Sequence, residues 1–158
     1  NITILDPELT LTLPRNLTAW TGFDALTHAI EAFLVPSFNP LCDAMALEAL
    51  KLISRFLPVA YNEPNNISAR AGMLVGSCLA GVSFLKGLGL VHSISHMIGA
   101  EYNTHHGLTN AIVLPVVLRF NLEGMDSQTA TIAQNMHLEE SSAAKLISEI
   151  EKLSLIHI

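Results

Sequence analysis

Four of the chain's seven histidines fall in one apolar stretch, residues 87–111, and this restricts how the chain can fold. The stretch reads GLGLVHSISHMIGAEYNTHHGLTNA, has one carboxylate, Glu101, and contains His92, His96, His105 and His106. Imidazoles buried without a hydrogen-bonding partner cost free energy, so a fold that covers this stretch must supply partners for them. A bound metal ion would satisfy several imidazoles at once.

The spacing of these residues suggests a binding pocket built from two helices. His92 and His96 are four residues apart, so on a helix they project from one face. Asp24 and His28 have the same spacing in the upstream segment TGFDALTHAIEAF. His106 follows beyond a predicted turn at residues 102–104. Two such faces brought together would offer oxygen and nitrogen ligands to a divalent metal.

Each pair on its own also has a structural explanation. A single histidine in an apolar helix is usually a satisfied core or surface residue, and an aspartate one turn from a histidine can simply accept its hydrogen bond. Charged residues make up only 14% of the chain and the mean hydropathy is +0.42, so other polar partners are scarce. This scarcity favours the metal site.

Apolar residues recur at helical spacing along most of the chain, which predicts an all-α fold of about seven helices. A short strand at Asn1–Leu5 is the only strand expected, and Leu9–Pro14 is expected to be extended or a loop. Gly22 is expected to interrupt the first helix, and Pro58 to kink or end the second. The expected helices are Asn16 or Thr18 to Leu34, Pro40–Tyr61, Ala71–Val91, Leu90–Glu101, Gly107–Asn121, Asp126–Met136 and Ser141–Ile150. The expected N-terminal caps are Asn39 for the second helix, Asn66 or Ser68 for the third and Ser141 for the last. A kink is expected at Pro115.

The run Ala71–Val91 is nearly long enough to cross a bilayer. Gly72, Gly76 and Ala80 would form a small-residue face suited to close helix packing. However, Gly87 and Gly89 interrupt the run and no aromatic belt flanks it. We therefore expect a central helix buried on all sides and no membrane association.

Length, charge and cysteine content limit the remaining possibilities. The 158 residues are expected to form one domain, 1–158, as part of a longer protein, with 153–158 (LSLIHI) a possible non-native tail. The net charge of −6 and the absence of a basic patch argue against nucleic acid as a partner. Cys42 and Cys78 form no CxxC pair, and no secretory signal is visible, which favours reduced thiols in a cytoplasmic protein.

These motifs resemble the signature regions of the iron-dependent (group III) alcohol dehydrogenases. The resemblance extends from about Leu5 to Asn121 and rests on long motifs in matching order: TGFDALTHAIEAF, GLGLVHSISHMIGAEYNTHHGLTNAIVLP and Arg119–Phe120–Asn121. It implies the multi-helix C-terminal domain of the iron-containing alcohol dehydrogenase and dehydroquinate synthase-like fold.

The resemblance also implies roles for individual residues. Asp24, His28, His92 and His106 correspond to the metal ligands. His96 corresponds to a catalytic residue beside the nicotinamide and the substrate. His105 occupies a position that is often not histidine in the family and is not assigned as a ligand.

The function implied is oxidation of a small alcohol to an aldehyde or ketone, or the reverse, by hydride transfer to or from NAD(P). Iron, as Fe²⁺, is favoured by the resemblance, while the ligand types would equally suit Zn²⁺ or another divalent metal. No GxGxxG motif occurs, so the N-terminal nucleotide-binding domain is expected to be absent and the isolated chain inactive. The intact enzyme is expected to be a homodimer or larger homo-oligomer.

Two alternatives remain at this stage. A zinc polyol dehydrogenase of the glycerol type, or a related lyase, would belong to the same superfamily, but these relatives use one aspartate and two histidines. A helical membrane or structural protein with incidental histidines would belong to a different class. Solubility without detergent together with bound metal would distinguish these alternatives.

Overall fold

A computed structural model describes residues 2–155, and helices are the only regular secondary structure in that range. The expectation of an all-α fold is confirmed. The elements are a 3-10 turn Pro7–Thr10, α1 Arg15–Leu34, α2 Pro40–Asn62, α3 Ile67–Ser83, a 3-10 turn Phe84–Lys86, α4 Leu90–Tyr102, α5 His106–Asn121, α6 Asp126–Asn135 and α7 Ala143–Leu155.

Helix α1 lies at the centre of the fold and packs against α2, α3 and α5. Phe23, Leu26 and Ile30 are completely buried and form its contribution to the main hydrophobic core. Helix α4 packs mainly on α5, while α6 and α7 cover α2 and α5. The site described below is positioned by the packing of α1, α4 and α5.

The expected interruption at Gly22 is wrong, because α1 runs through it without a break. A Cβ at this position would collide with the side chains of Leu57 and Met73. The glycine therefore permits close approach of α2 and α3 to α1, and the buried contacts outweigh its low helix propensity.

Helix α2 begins as expected and continues past its internal proline. The Asn39 side chain accepts a hydrogen bond from the Cys42 amide (3.2 Å), which satisfies one free N–H of the first turn. Pro58 does not end the helix, which extends to Asn62. Leu57 and Ala60 are buried on either side of the proline, so core packing holds this turn helical despite the lost hydrogen bond.

The expected N-terminal strand is absent from residues 2–5, while Asn1 lies outside the described residues. Ile2 and Ile4 are exposed, and residues 2–155 contain no strand with which this segment could pair. The expectation of extended or loop structure at Leu9–Pro14 is also wrong in part. A 3-10 turn covers residues 7–10, and the Asp6 carboxylate caps it by accepting from the Glu8 amide.

The apolar run after residue 67 is divided into two helices. Gly87, at φ 129°, separates α3 and its 3-10 turn from α4, because this backbone conformation strongly favours glycine. Burial of α3 on all sides is also wrong: Val75 and Val82 are about 40% exposed. One face of α3 packs on α1 and α2, and the opposite face remains open in this chain.

By length and composition alone, Ile67–Lys86 could cross a membrane. Its mean hydropathy is 1.4, and a third of the window is buried within the fold. Core helices of soluble proteins meet the same criterion, so it is weak evidence. The small residues Gly72 and Gly76 of this segment pack against Phe56 and Ile53 of α2.

The C-terminal helices form close to their expected positions. Asn66 caps α3 by accepting from the Ala69 amide (3.0 Å), as expected. Helix α7 starts two residues later than expected, and Ser142 rather than Ser141 accepts the hydrogen bond, from Lys145 N (3.2 Å). Of the possible tail, residues 153–155 continue α7 and 156–158 lie outside the described residues.

Candidate metal centre

One face of the largely buried helix α1 carries three polar side chains. Asp24, His28 and Glu31 lie at intervals of four and three residues, so they project from the same side. Glu31 is 3% exposed, whereas the side chains of Asp24 and His28 are 24% and 19% exposed. The helix thus presents a partly open carboxylate and imidazole beside a deeply buried carboxylate.

Three imidazoles converge on the carboxylate of Asp24. Its Oδ1 atom lies 3.7 Å from His28 Nε2, 3.5 Å from His92 Nε2 and 3.3 Å from His106 Nε2. The ring of His28 also stacks on that of His92, with centroids 4.7 Å apart. All four residues assigned from the resemblance are therefore neighbours, although they come from three helices.

Two short connections bring the second and third helices to α1. Gly89 leads into α4, whose third residue is His92, and a left-handed Asn103 (φ 52°) ends α4. The chain then turns so that α5 begins at His106. At the next position, Gly107 lies so close to the Trp20 carbonyl that a Cβ there would overlap it. Close packing of α5 on α1 thus places His106 beside Asp24.

Asn110, one turn after His106, occupies the middle of the group. Its Nδ2 donates to Asp24 Oδ1 at 2.6 Å and lies 3.1 Å from His106 Nε2 and 3.3 Å from His92 Nε2. Its Oδ1 atom is buried and has no hydrogen-bonding partner among the described residues. The Asn110 NH₂ group therefore faces the same atoms, Asp24 Oδ1 and Nε2 of His92 and His106, whose lone pairs a metal ion would need.

The far side of the His92 ring is held by Glu31. The distance from His92 Nδ1 to Glu31 Oε2 is 2.6 Å, and both residues are almost completely buried. Because the Nδ1 edge faces Glu31, the Nε2 edge faces Asp24. This is the usual arrangement of a ligating histidine whose second ring nitrogen is fixed by a carboxylate.

The other histidines within residues 2–155 lie at the edge of the group or outside it. The exposed His96 stacks on His106, with ring centroids 4.9 Å apart, at the open side of the group. His105 packs instead on Trp20, at a centroid distance of 4.7 Å. His137 follows α6 on the surface. The neighbouring His105 and His106 thus point to different surroundings.

The ionisable groups at the site influence one another strongly. Burial favours the neutral acid of Asp24, but the hydrogen bond to His92 and the surrounding imidazoles outweigh it and lower the pKa of Asp24. Burial would also lower the pKa of His92, yet its hydrogen bonds to Asp24 and Glu31 raise it to about 9. Burial dominates for His28 and His106, whose pKa values are lowered despite the nearby Asp24.

These side chains fit a divalent metal ion. Asp24, His28 and His92 offer one oxygen and two nitrogen atoms that all lie within 4.8 Å of one another, and His106 adds a nitrogen beside the same oxygen. One carboxylate and three imidazoles suit Fe²⁺, Zn²⁺, Mn²⁺ or Co²⁺. The 3.3–3.7 Å between Asp24 Oδ1 and the three Nε2 atoms are about the separations expected between ligands that each lie about 2.1 Å from one ion. The Asn110 amide lies next to the same atoms and would have to make room for the ion.

The sequence interpretation missed Glu31 and Asn110. Both have a visible signal: Glu31 is seven residues after Asp24, and Asn110 is four residues after His106, so each shares a helical face with a proposed ligand. Metal-ligand spacing points to residues that could bind an ion and does not by itself identify the residues that hold those ligands in place.

A comparison with protein families matches residues 18–155 to the C-terminal region of the Fe-containing alcohol dehydrogenase family. The chain is 45% identical over 134 residues to the NAD-dependent methanol dehydrogenase of Bacillus methanolicus, covering 84% of this chain and 35% of that protein. It is 40% identical over 162 residues to the 1,3-propanediol dehydrogenase of Klebsiella pneumoniae, covering 98% and 42%.

Among solved structures, the crystal structure of a 1,3-propanediol oxidoreductase superposes with a TM-score of 0.92 at 40% identity, covering 96% of this chain and 42% of that one. The chain therefore spans about two fifths or less of the length of these relatives.

Proposed function

Because this chain belongs to the Fe-containing alcohol dehydrogenase family, we propose that it is the metal- and substrate-binding helical domain of an NAD(P)-linked alcohol dehydrogenase. The observation that carries the proposal is the convergence of His28, His92 and His106 on one oxygen of Asp24. The names of the relatives, which include methanol and 1,3-propanediol dehydrogenases, support a small alcohol or aldehyde as the substrate.

Asp24, His28, His92 and His106 would hold the metal. When bound, the ion would act as a Lewis acid toward the substrate oxygen. Iron is proposed from the family description. The four-residue ligand set favours this assignment over a zinc polyol dehydrogenase or a related lyase, both of which use one aspartate and two histidines.

His96 is the residue we propose for proton transfer and for contact with the nicotinamide. It is exposed yet stacks on His106, so it connects the site to solvent. A positioned imidazole at such an edge can take a proton from the reacting alcohol and release it to water. Phe84 packs on the His28 ring, with ring centroids 4.9 Å apart, and adds apolar surface beside this ligand.

Residues 2–155 do not fit the pyrophosphate of NAD(P), because they include no glycine-rich loop between a strand and a helix. We therefore propose that the nucleotide is held by a separate domain and that these 158 residues alone neither bind NAD(H) tightly nor oxidise alcohols. For the intact enzyme we propose a cytoplasmic homo-oligomer, a homodimer or larger.

The test is metal titration of the purified chain, followed by assays with NAD⁺ and 1,3-propanediol or ethanol. We expect one equivalent of Co²⁺ or Zn²⁺ to bind and no alcohol oxidation to occur. Failure to bind any divalent metal would contradict the metal centre. Turnover by the isolated chain would contradict the proposed need for a separate nucleotide-binding domain.

A further inference from the structure

The carboxylate of Glu31 is enclosed between α1 and the first turn of α4. Its Oε1 accepts from the Val91 amide at 2.6 Å, and its Oε2 faces His92 Nδ1 at 2.6 Å and the His92 amide at 3.4 Å. The side chain is 3% exposed. Both oxygens therefore meet N–H donors of α4, and little water can reach them.

Gly89 makes this close approach possible. A Cβ at residue 89 would stand 2.7 Å from Glu31 Oε1 and 3.1 Å from its carboxyl carbon. Only a residue without a side chain leaves space for the carboxylate at the N-terminus of α4. Gly87 thus permits the break before α4, and Gly89, two residues later, leaves room for the Glu31 carboxylate.

An ionised carboxylate only accepts hydrogen bonds, so the His92 nitrogen that faces it must carry a proton. A metal ion binds the neutral imidazole, and with Nδ1 protonated that form has its lone pair on Nε2, the atom that faces Asp24 at 3.5 Å. We propose that Glu31 is the positioning residue that holds His92 as its Nδ1–H tautomer, with Nε2 turned toward the metal position. This inference rests on the metal centre proposed above.

Replacement of Glu31 by glutamine distinguishes this role from simple space filling. The amide has one acceptor and one donor group, whereas the site presents three donors, the backbone amides of Val91 and His92 and His92 Nδ1–H. If the amide oxygen satisfies the backbone, the NH₂ group faces Nδ1 and favours a proton on Nε2. His92 would then have to lose a favourable hydrogen bond before it could bind metal.

The experiment measures Co²⁺ affinity of the full chain by chelator competition in wild type, Glu31→Gln, His92→Ala and the double variant. We expect Glu31→Gln to weaken binding about 10- to 100-fold, the usual effect of removing a carboxylate that orients a ligating histidine. In the His92→Ala background the same change should have little further effect, because the residue through which Glu31 acts is gone. A purely structural role would weaken binding equally in both backgrounds.

Gly89→Ala provides a second variant that changes no charge. It should displace the Glu31 carboxylate and weaken Co²⁺ binding in the same direction. Independently of any variant, the ¹⁵N spectrum of the Zn²⁺-loaded wild type should show His92 ligated through Nε2 with a protonated Nδ1. This measurement remains decisive even if a variant fails to fold.

The possible outcomes separate this inference from the proposed function. Wild-type chain that binds no metal would overturn the metal centre and the role of Glu31 together. Wild-type chain that binds metal while Glu31→Gln binds it equally well would overturn the role of Glu31 alone. Ligation of His92 through Nδ1 would do the same.

Discussion

Gly107 in α5 lies directly against the backbone of Trp20 in α1, with no room for a side chain between them. This contact sets the distance between the two helices at the position where His106 enters the site. Among the glycines inside helices, the opposite case is Gly81 in α3, where a Cβ would meet no atom within 4 Å. The two positions therefore form a matched pair.

Gly107→Ala should force α5 away from α1 and reduce both stability and metal affinity. Overpacking against backbone typically costs about 1–3 kcal/mol, because neither helix can give way without moving its other contacts. Gly81→Ala should raise the free energy of unfolding by up to about 1 kcal/mol through helix propensity. Urea denaturation and Co²⁺ titration of both variants test this, and equal behaviour of the pair would contradict it.

His106→Ala and His105→Ala should separate a ligand from its neighbour in the chain. His106 Nε2 lies 3.3 Å from Asp24 Oδ1, whereas the His105 ring packs on Trp20. We expect His106→Ala to weaken Co²⁺ binding at least tenfold and His105→Ala to leave it within about twofold. Loss of metal from the His105 variant alone would mean that the two assignments are reversed.

His96→Ala should leave the metal in place and slow turnover of the complete enzyme. The ring stacks on His106 at the exposed edge, and removal of a positioned acid–base group typically lowers the rate by roughly 10²- to 10⁴-fold. His92→Ala should instead lower metal content and rate together. Metal analysis and steady-state rates of both purified variants decide the matter. Metal loss from the His96 variant would identify it as a ligand.

Asn110→Ala should destabilise the metal-free chain without weakening metal binding. The Asn110 amide lies within hydrogen-bonding distance of Asp24, His92 and His106. Its loss leaves the buried His92 and the partly exposed Asp24 and His106 without that partner, at a cost of about 1–3 kcal/mol. A metal ion would bind through the same oxygen and nitrogen atoms, so the Asn110 amide competes with the ion for them, and its removal should not weaken metal binding. Asn135→Ala, in α6, is the matched control. A marked fall in Co²⁺ affinity for the Asn110 variant would refute this competition.

The stability of the metal-free chain should depend on pH through His92. Its pKa is raised from 6.5 to about 9 by Asp24 and Glu31, so the folded state holds this proton more tightly than the unfolded state. The stabilisation is fully present below pH 6.5 and is lost as pH rises to about 9. The difference in free energy of unfolding between wild type and His92→Ala should therefore shrink across that window. A difference that grows with pH would contradict it.

Much of the fold could be predicted from local signals. Helical periodicity identified all seven helices within residues 2–155, and the side-chain caps at Asn39 and Asn66 are local hydrogen bonds that a sequence displays directly. Helix α1 continues through Gly22, where a break was expected, and α2 continues past Pro58, for one reason. Residue propensity predicts an interruption there, whereas buried contacts from other helices hold the turns in place.

The sequence predicts which site residues lie together only where those residues belong to the same helix. The pairs Asp24–His28 and His92–His96 follow from four-residue spacing, but which imidazoles meet Asp24 depends on how α4 and α5 pack. The resemblance supplied that information in the sequence interpretation. Spacing places Glu31 and Asn110 on helical faces that carry proposed ligands, but the groups they bind needed the structure, because a hydrogen bond between residues 60 or more positions apart leaves no local pattern.

The placement of Asp24, His28 and Glu31 on one helix has a consequence for changes in chain length. Each residue inserted into or deleted from α1 between Asp24 and Glu31 turns the rest of that face by about 100° and removes at least one of the three from the site. The loop between α2 and α3, at residues 63–65 ahead of the Asn66 cap, contributes no side chain to the site. Length variation should therefore be tolerated in that loop and excluded from the middle of α1.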